Sequence, residues 1–288
     1  MGMEYGMAEL PLALFSTLAP MGAGAFTILA VAFFTSSFEG ETLKKIDRLT
    51  AIPIVFVVVG FICAFFHLAS PQHAFGVFAN VGSSPMSNEI LMGVVFCAVA
   101  IIYWIVAIAT KMSDGLRKAF SVIVAVLGLV FCVFIGLAYG MDTIPSWDNI
   151  MVPLSTLFYG VLGGSAVGMT VIYGAHALDS ATKAFVTAAV VLSWTGAIGS
   201  VLFFGLNMGE AAGIQNNMML GSDIIDGMLL WIITAIIVML LAGLALMFEI
   251  QKERAAFYPW IGVFVACVGI FIARIAFYGA EISIGLGI

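Results

Sequence analysis

Two of the chain's three histidines and one glutamate lie within "AFFHLASPQHAFGVFANVGSSPMSNEILMG", residues 64–93, a stretch without lysine or arginine between two long apolar runs. His67 closes the first run in "FFHLASP" and Glu89 opens the second in "SSPMSNE". An imidazole titrates near neutral pH, so it can accept a proton there. A carboxylate can relay that proton to water. A quinol gives up two electrons and two protons when it is oxidised. It needs such bases within hydrogen-bond reach and an apolar slot for its ring. The competing reading is structural. Ser84 or Ser87 suits a helix N-cap and Pro85 a first helical position. Glu89 is then an acid stabilised by the helix dipole, and His67 an interfacial imidazole bonded to a loop carbonyl. Arg274 is the third candidate, with Tyr278 one helical turn on. It pairs with a carboxylate or polarises a quinone oxygen, or else it snorkels to an interface.

The elements that must position these groups follow from composition. Of 288 residues, 63% are hydrophobic and only 9% charged, against roughly 25% charged in a soluble domain. So much apolar surface requires an apolar solvent, and the sequence reads as a polytopic membrane protein. Its net charge of −6 comes with no basic patch of the kind that binds nucleic acid. Runs of about 20 apolar residues fall at roughly 11–34, 49–68, 90–109, 120–139, 152–173, 184–206, 224–247 and 257–278. Without period-2 alternation these are helices, because an open sheet edge in lipid leaves backbone groups unpaired. The expected fold is one all-α membrane domain of eight transmembrane helices. "PLALFSTLAPMG" opens the first span and "PLSTLFYGVLGG" the fifth, which suits two parallel four-helix halves. Shared membrane composition accounts for the match almost as well.

Nine of the ten Lys and Arg fall in loops on one side: Lys44, Lys45, Arg48, Lys111, Arg117, Lys118, Lys183, Lys252 and Arg254. The positive-inside rule makes that side cytoplasmic and puts both termini outside. His67, His73 and Glu89 then belong to the outer face. No large soluble domain is present, so chemistry beyond the membrane falls to another subunit. Cys63, Cys97, Cys132 and Cys267 each stand alone in an apolar run, without the spacing of an iron–sulfur or zinc site. His176 lies across the membrane from His67, which does not suit bis-histidine haem ligation. The acidic "MGMEYGMAELP" lacks the basic segment of a secretory signal.

"HLASPQHAFGVFANVGSSPMSNEI" resembles the signature of the membrane anchor subunits of dimethyl sulfoxide reductases. "DTIPSW" before a span and "RIAFY" late in the eighth are similar to that family too, and the eight-span layout with outer termini extends the resemblance over most of the sequence. His73 stands where the family pattern has an arginine. The resemblance implies a menaquinol-oxidising anchor without haem or iron–sulfur cluster of its own. Electrons would pass to a four-cluster iron–sulfur subunit and then to a molybdopterin catalytic subunit, both docked on the outer face of a bacterial cytoplasmic membrane. It assigns His67 and Glu89 to the proton chemistry, with Ser70 and Asn88 beside them at the quinol. Arg274 and Tyr278 join that candidate site from the reading of span eight. Two other classes compete: a small-molecule transporter, motivated by the repeat, and a haem-containing quinone-reactive cytochrome subunit.

Overall fold

The computed structural model describes residues 2–67, 71–216, 220–251 and 258–283. A short helix α1 (Gly2–Ala8) leads into α2 (Leu10–Thr35). An amphipathic α3 (Gly40–Leu49) runs through Thr50 into α4 (Ala51–Phe65). Then follow α5 (Pro85–Ala109), α6 (Asp114–Leu137), α7 (Met151–Gly174), α8 (Lys183–Ala212), α9 (Gly221–Gln251) and α10 (Tyr258–Gly279). Eight of these helices, with α3 and α4 taken as one, are long and apolar enough to cross a membrane. The protein is therefore all-α with eight potential spans, as the apolar runs predict.

Polar residues set where the helices begin. Ser84 caps α5 by accepting from Ser87 N at 3.4 Å, with Pro85 as the first helical residue. Its start lies five residues before the apolar run, so Glu89 sits just after the first turn, as a Ser84 cap with Pro85 first implies. Ser113 caps α6 and Thr182 caps α8 in the same manner. The segment Pro71–Asn80, expected as plain loop, forms a 3₁₀ helix.

The buried centre is the pair α2 and α7, the first and fifth spans. They approach through glycine: a Cβ on Gly24 would lie 1.9 Å from the carbonyl oxygen of Gly160, and one on Gly164 would meet the Gly24 backbone at 2.3 Å. Small residues permit this contact where lipid supplies no hydrophobic drive between helices. Each half repeats one pairing. Its first helix packs on its second and fourth, and its third packs on its fourth: α2 with α4 and α6, α5 with α6; α7 with α8 and α10, α9 with α10. One pairing breaks the repeat. α8 and α9 pack closely, whereas α4 and α5 make little contact. Phe61 of α4 reaches over Gly93 of α5 and stacks on Phe131 of α6 at 5.7 Å between ring centroids.

The two ends of the bundle are tied separately. At the basic end, Arg117 and Asp47 form a buried ion pair, and Thr182 Oγ1 donates to Thr35 O at 2.8 Å. At the other end, α1 lies along α10, and the turn before α7 is fastened to the segment after α10 through Ile282 N, which donates to Ser146 Oγ at 3.0 Å.

Candidate functional site

Arg274 is 1% exposed, so the snorkelling reading does not describe it. Helix α10 aims it inward at α2, where Nε donates to Ser16 Oγ at 2.7 Å. Ser16 Oγ donates in turn to Leu12 O at 2.7 Å, which leaves its lone pairs for the guanidinium. One turn along α10, Tyr278 OH accepts from Arg274 Nη2 at 3.0 Å. The guanidinium carbon also lies 4.2 Å from the ring centre of Phe277, 4.8 Å from that of Tyr278 and 4.9 Å from that of Tyr139. Ring faces are electron-rich and attract a cation, most strongly where water is excluded. Among the described residues no carboxylate stands within ion-pair distance of Arg274.

Tyr139 follows the last turn of α6, and its hydroxyl is hydrogen-bonded to that of Tyr278. Burial foremost, then the neighbouring Tyr278, holds the Tyr139 phenol well above the ordinary tyrosine range, so it stays protonated. Trp147 locks the aromatic cluster: its Nε1 donates to Phe277 O at 3.2 Å, and its ring meets those of Tyr139 and Tyr278 edge-on.

Glu89 enters the same interior from α5. It is 7% exposed, and its Oε1 has no hydrogen-bond partner among the described residues. Arg274 and Tyr139 lie within electrostatic reach of it. A buried carboxylate without a bonded partner is costly. At a stability site that cost would be met by a paired donor.

His67 has a different neighbour. It forms the last turn after α4, and its Nδ1 lies 3.4 Å from Oε2 of Glu9, at the start of α2. His67 and Glu9 are 41% and 30% exposed. Partial burial first, and the nearby Glu9 second, hold Glu281 above the usual carboxylate range. Glu9, His67 and Glu281 thus form a titratable group at the surface, while Glu89 lies in the interior. No hydrogen bond or ion pair joins His67 to Glu89 among the described residues.

Of the six residues singled out in sequence, three converge: Glu89, Arg274 and Tyr278. His67 stands apart beside Glu9. Asn88 is turned to the loop, where its Oδ1 accepts from Gly82 N at 2.7 Å and closes the turn before α5. Ser70 lies outside the described residues, as do the side chains of residues 71–75, which include His73. Sequence reasoning missed Ser16, Tyr139 and Glu9. Ser16 gave a faint signal as a hydroxyl inside "LFSTLAP"; Tyr139 looked like any interfacial aromatic, and Glu9 like part of an acidic terminus.

The model of the DMSO reductase anchor subunit (DmsC) family matches residues 3–280. The protein is 26% identical over 294 residues, 99% of each sequence, to the C subunit of anaerobic dimethyl sulfoxide reductase from Haemophilus influenzae. It is 26% identical over 292 residues, again 99% of each, to the YnfH subunit of anaerobic dimethyl sulfoxide reductase from Escherichia coli K12. Against the C subunit of the Escherichia coli K12 enzyme it is 33% identical over 167 residues, 58% of each sequence.

Proposed function

This protein belongs to the DMSO reductase anchor subunit family, and from that premise we propose that it oxidises menaquinol while holding a reductase complex to the membrane. The membrane anchor role follows from the family and the eight potential spans. The proposal adds the quinol site, the iron–sulfur subunit that takes the electrons and the molybdopterin subunit that spends them. The observation that carries it is Glu89, a buried carboxylate with an unpartnered oxygen in the field of the buried cation Arg274.

The chemistry distributes as follows. Menaquinol becomes menaquinone by losing two electrons and two protons. Its ring reaches the interior from lipid along the loose seam between α4 and α5, whose mouth exposes Phe65, Phe66 and Met86. Glu89 accepts one hydroxyl proton from the ring and His67, at the mouth of the seam, accepts the other. Arg274 favours the negative charge that builds on the quinol oxygen as its proton leaves. The Tyr139–Tyr278 hydroxyl pair keeps the guanidinium oriented. His67 and Glu9 carry protons from the mouth of the seam to water. The electrons leave at the same end to the docked iron–sulfur subunit.

The test is to compare Glu89→Gln and His67→Ala in the assembled complex. Quinol-dependent reduction falls in each by about 10²–10⁴-fold, the usual cost of losing a general base. Electrons given artificially to the soluble subunits still reach the substrate at the normal rate. Full quinol turnover in both variants, with unchanged quinol-analogue binding, leaves Glu89 a helix-start acid and His67 an interfacial imidazole.

A further inference from the structure

At the end of the bundle away from Glu89, α3, the close of α5 and the start of α6 surround an open cleft of about 550 Å³. Four cations line it, Lys44, Arg48, Lys111 and Arg117, against a single carboxylate, Asp47. That carboxylate is already used. Arg117 Nη2 donates to its Oδ2 at 3.1 Å, Nη1 bonds its other oxygen, and both residues are buried. The pair forms a neutral floor. Lys44, Arg48 and Lys111 are left around the rim, with only the exposed Glu41 bonded to Lys44 at 2.7 Å. Three cations around one cleft repel each other unless an anion lies between them.

The cleft also has an apolar wall. Ile108 lines it at 47% exposure, and Ile105, one turn earlier on the same helix, is 52% exposed. In a membrane-spanning helix such residues face acyl chains. α3 completes the geometry. It buries Ile46 and Asp47 and turns Lys44 and Arg48 outward, as a helix lying at a membrane surface does. On the positive-inside reading this end meets the cytoplasmic leaflet, where anionic lipids and basic interhelical pockets pair.

We propose that this cleft holds the phosphate headgroup of an anionic phospholipid, with its acyl chains laid along Ile105 and Ile108. The site joins α3 to the α5–α6 hairpin at the end opposite the quinol chemistry. It owes nothing to that chemistry, so the two proposals stand or fall separately.

The experiment is native mass spectrometry of the complex extracted from its own membrane, with phospholipid identified by mass. The wild type retains an anionic phospholipid. The combined variant Lys44→Gln, Arg48→Gln, Lys111→Gln loses it by on the order of tenfold or more, since each rim cation contributes separately. Lys45 and Lys118 remain in the same loops to preserve orientation. A control variant, Lys45→Gln with Lys183→Gln, removes positive charge outside the cleft lining and keeps the lipid. Added phosphatidylglycerol or cardiolipin raises the thermal stability of the delipidated wild type, and phosphatidylcholine does not. Equal retention in the cleft variant, or equal loss in the control, overturns the proposal, because diffuse charge then explains the binding. Equal stabilisation by inorganic phosphate alone also overturns it, since the cleft would then take a soluble anion.

Discussion

Arg274 carries a full charge through an interior that offers it hydroxyls and ring faces instead of a bonded carboxylate. Such a cation is expensive to bury. Its geometry uses what only a guanidinium has: a fork that reaches Ser16 and Tyr278 at once and a flat face for aromatic rings. Arg274→Ala should therefore lower quinol-dependent turnover by on the order of 10²-fold, comparable to losing a base, because Glu89 then faces an interior without a counter-charge. Arg274→Lys keeps the charge but loses the fork and the stacking, and should fall between the two. Steady-state turnover with a quinol donor, read beside the thermal stability of each complex, separates a site effect from a folding effect. Wild-type turnover in the alanine variant removes Arg274 from the chemistry. Its importance was partly legible in sequence, since it alone breaks the loop charge pattern. Its partner Ser16 was not, because 258 positions separate them and only the packing of α10 on α2 brings them together.

The helices were the most legible level. Run length and hydropathy mark a span whatever it packs against, and all eight appear. The start of α5 was legible as well: Ser84, one of the two caps the sequence offers, carries the helix back over Glu89. What was not legible was the amphipathic α3, which joins α4 without a break. Contacts between helices were less legible still, because glycines serve both tight packing and open faces. The structure separates the two uses. A Cβ on Gly24 collides with the backbone of Gly160, which lacks the freedom of a side-chain tip to move aside, whereas one on Gly227 of α9 meets open space. Gly24→Ala should destabilise the protein by about 1–3 kcal/mol, the usual cost of overpacking. Gly227→Ala should be neutral or stabilise by up to about 1 kcal/mol through helix propensity. Thermal unfolding of the two variants in one detergent reads the contrast directly. Equal behaviour would mean that α2 and α7 do not approach as closely as their glycines indicate.

At the scale of the molecule, two chemistries occupy opposite ends. The Glu89 end gathers the aromatic cluster, Arg274 and the surface acids Glu9 and Glu281; the basic end gathers the loop cations and the cleft beside α3. The helices run antiparallel in sequence order, so a single choice of orientation assigns every loop to its side of the membrane. Charge makes that choice: seven described Lys and Arg lie at or beside the helix ends on one side, and the described loops on the other side have none, while Lys252 and Arg254 lie outside the described residues. By the positive-inside rule, such an asymmetry predicts a cytoplasmic basic end and a Glu89 near the outer surface. Under the proposed function, quinol protons are then released on the outer side, and the reductase partner docks there too. Asp142 is exposed in the loop before α7, and Lys45 is exposed on α3. In intact cells, a membrane-impermeant maleimide should label Asp142→Cys and leave Lys45→Cys unlabelled until the membrane is opened. The four native cysteines lie in the apolar helices, so the unsubstituted protein gives the background. The reverse pattern would turn the whole bundle over. It would move the proposed proton release and the docked partner to the cytoplasm together, since the helices pack as one bundle.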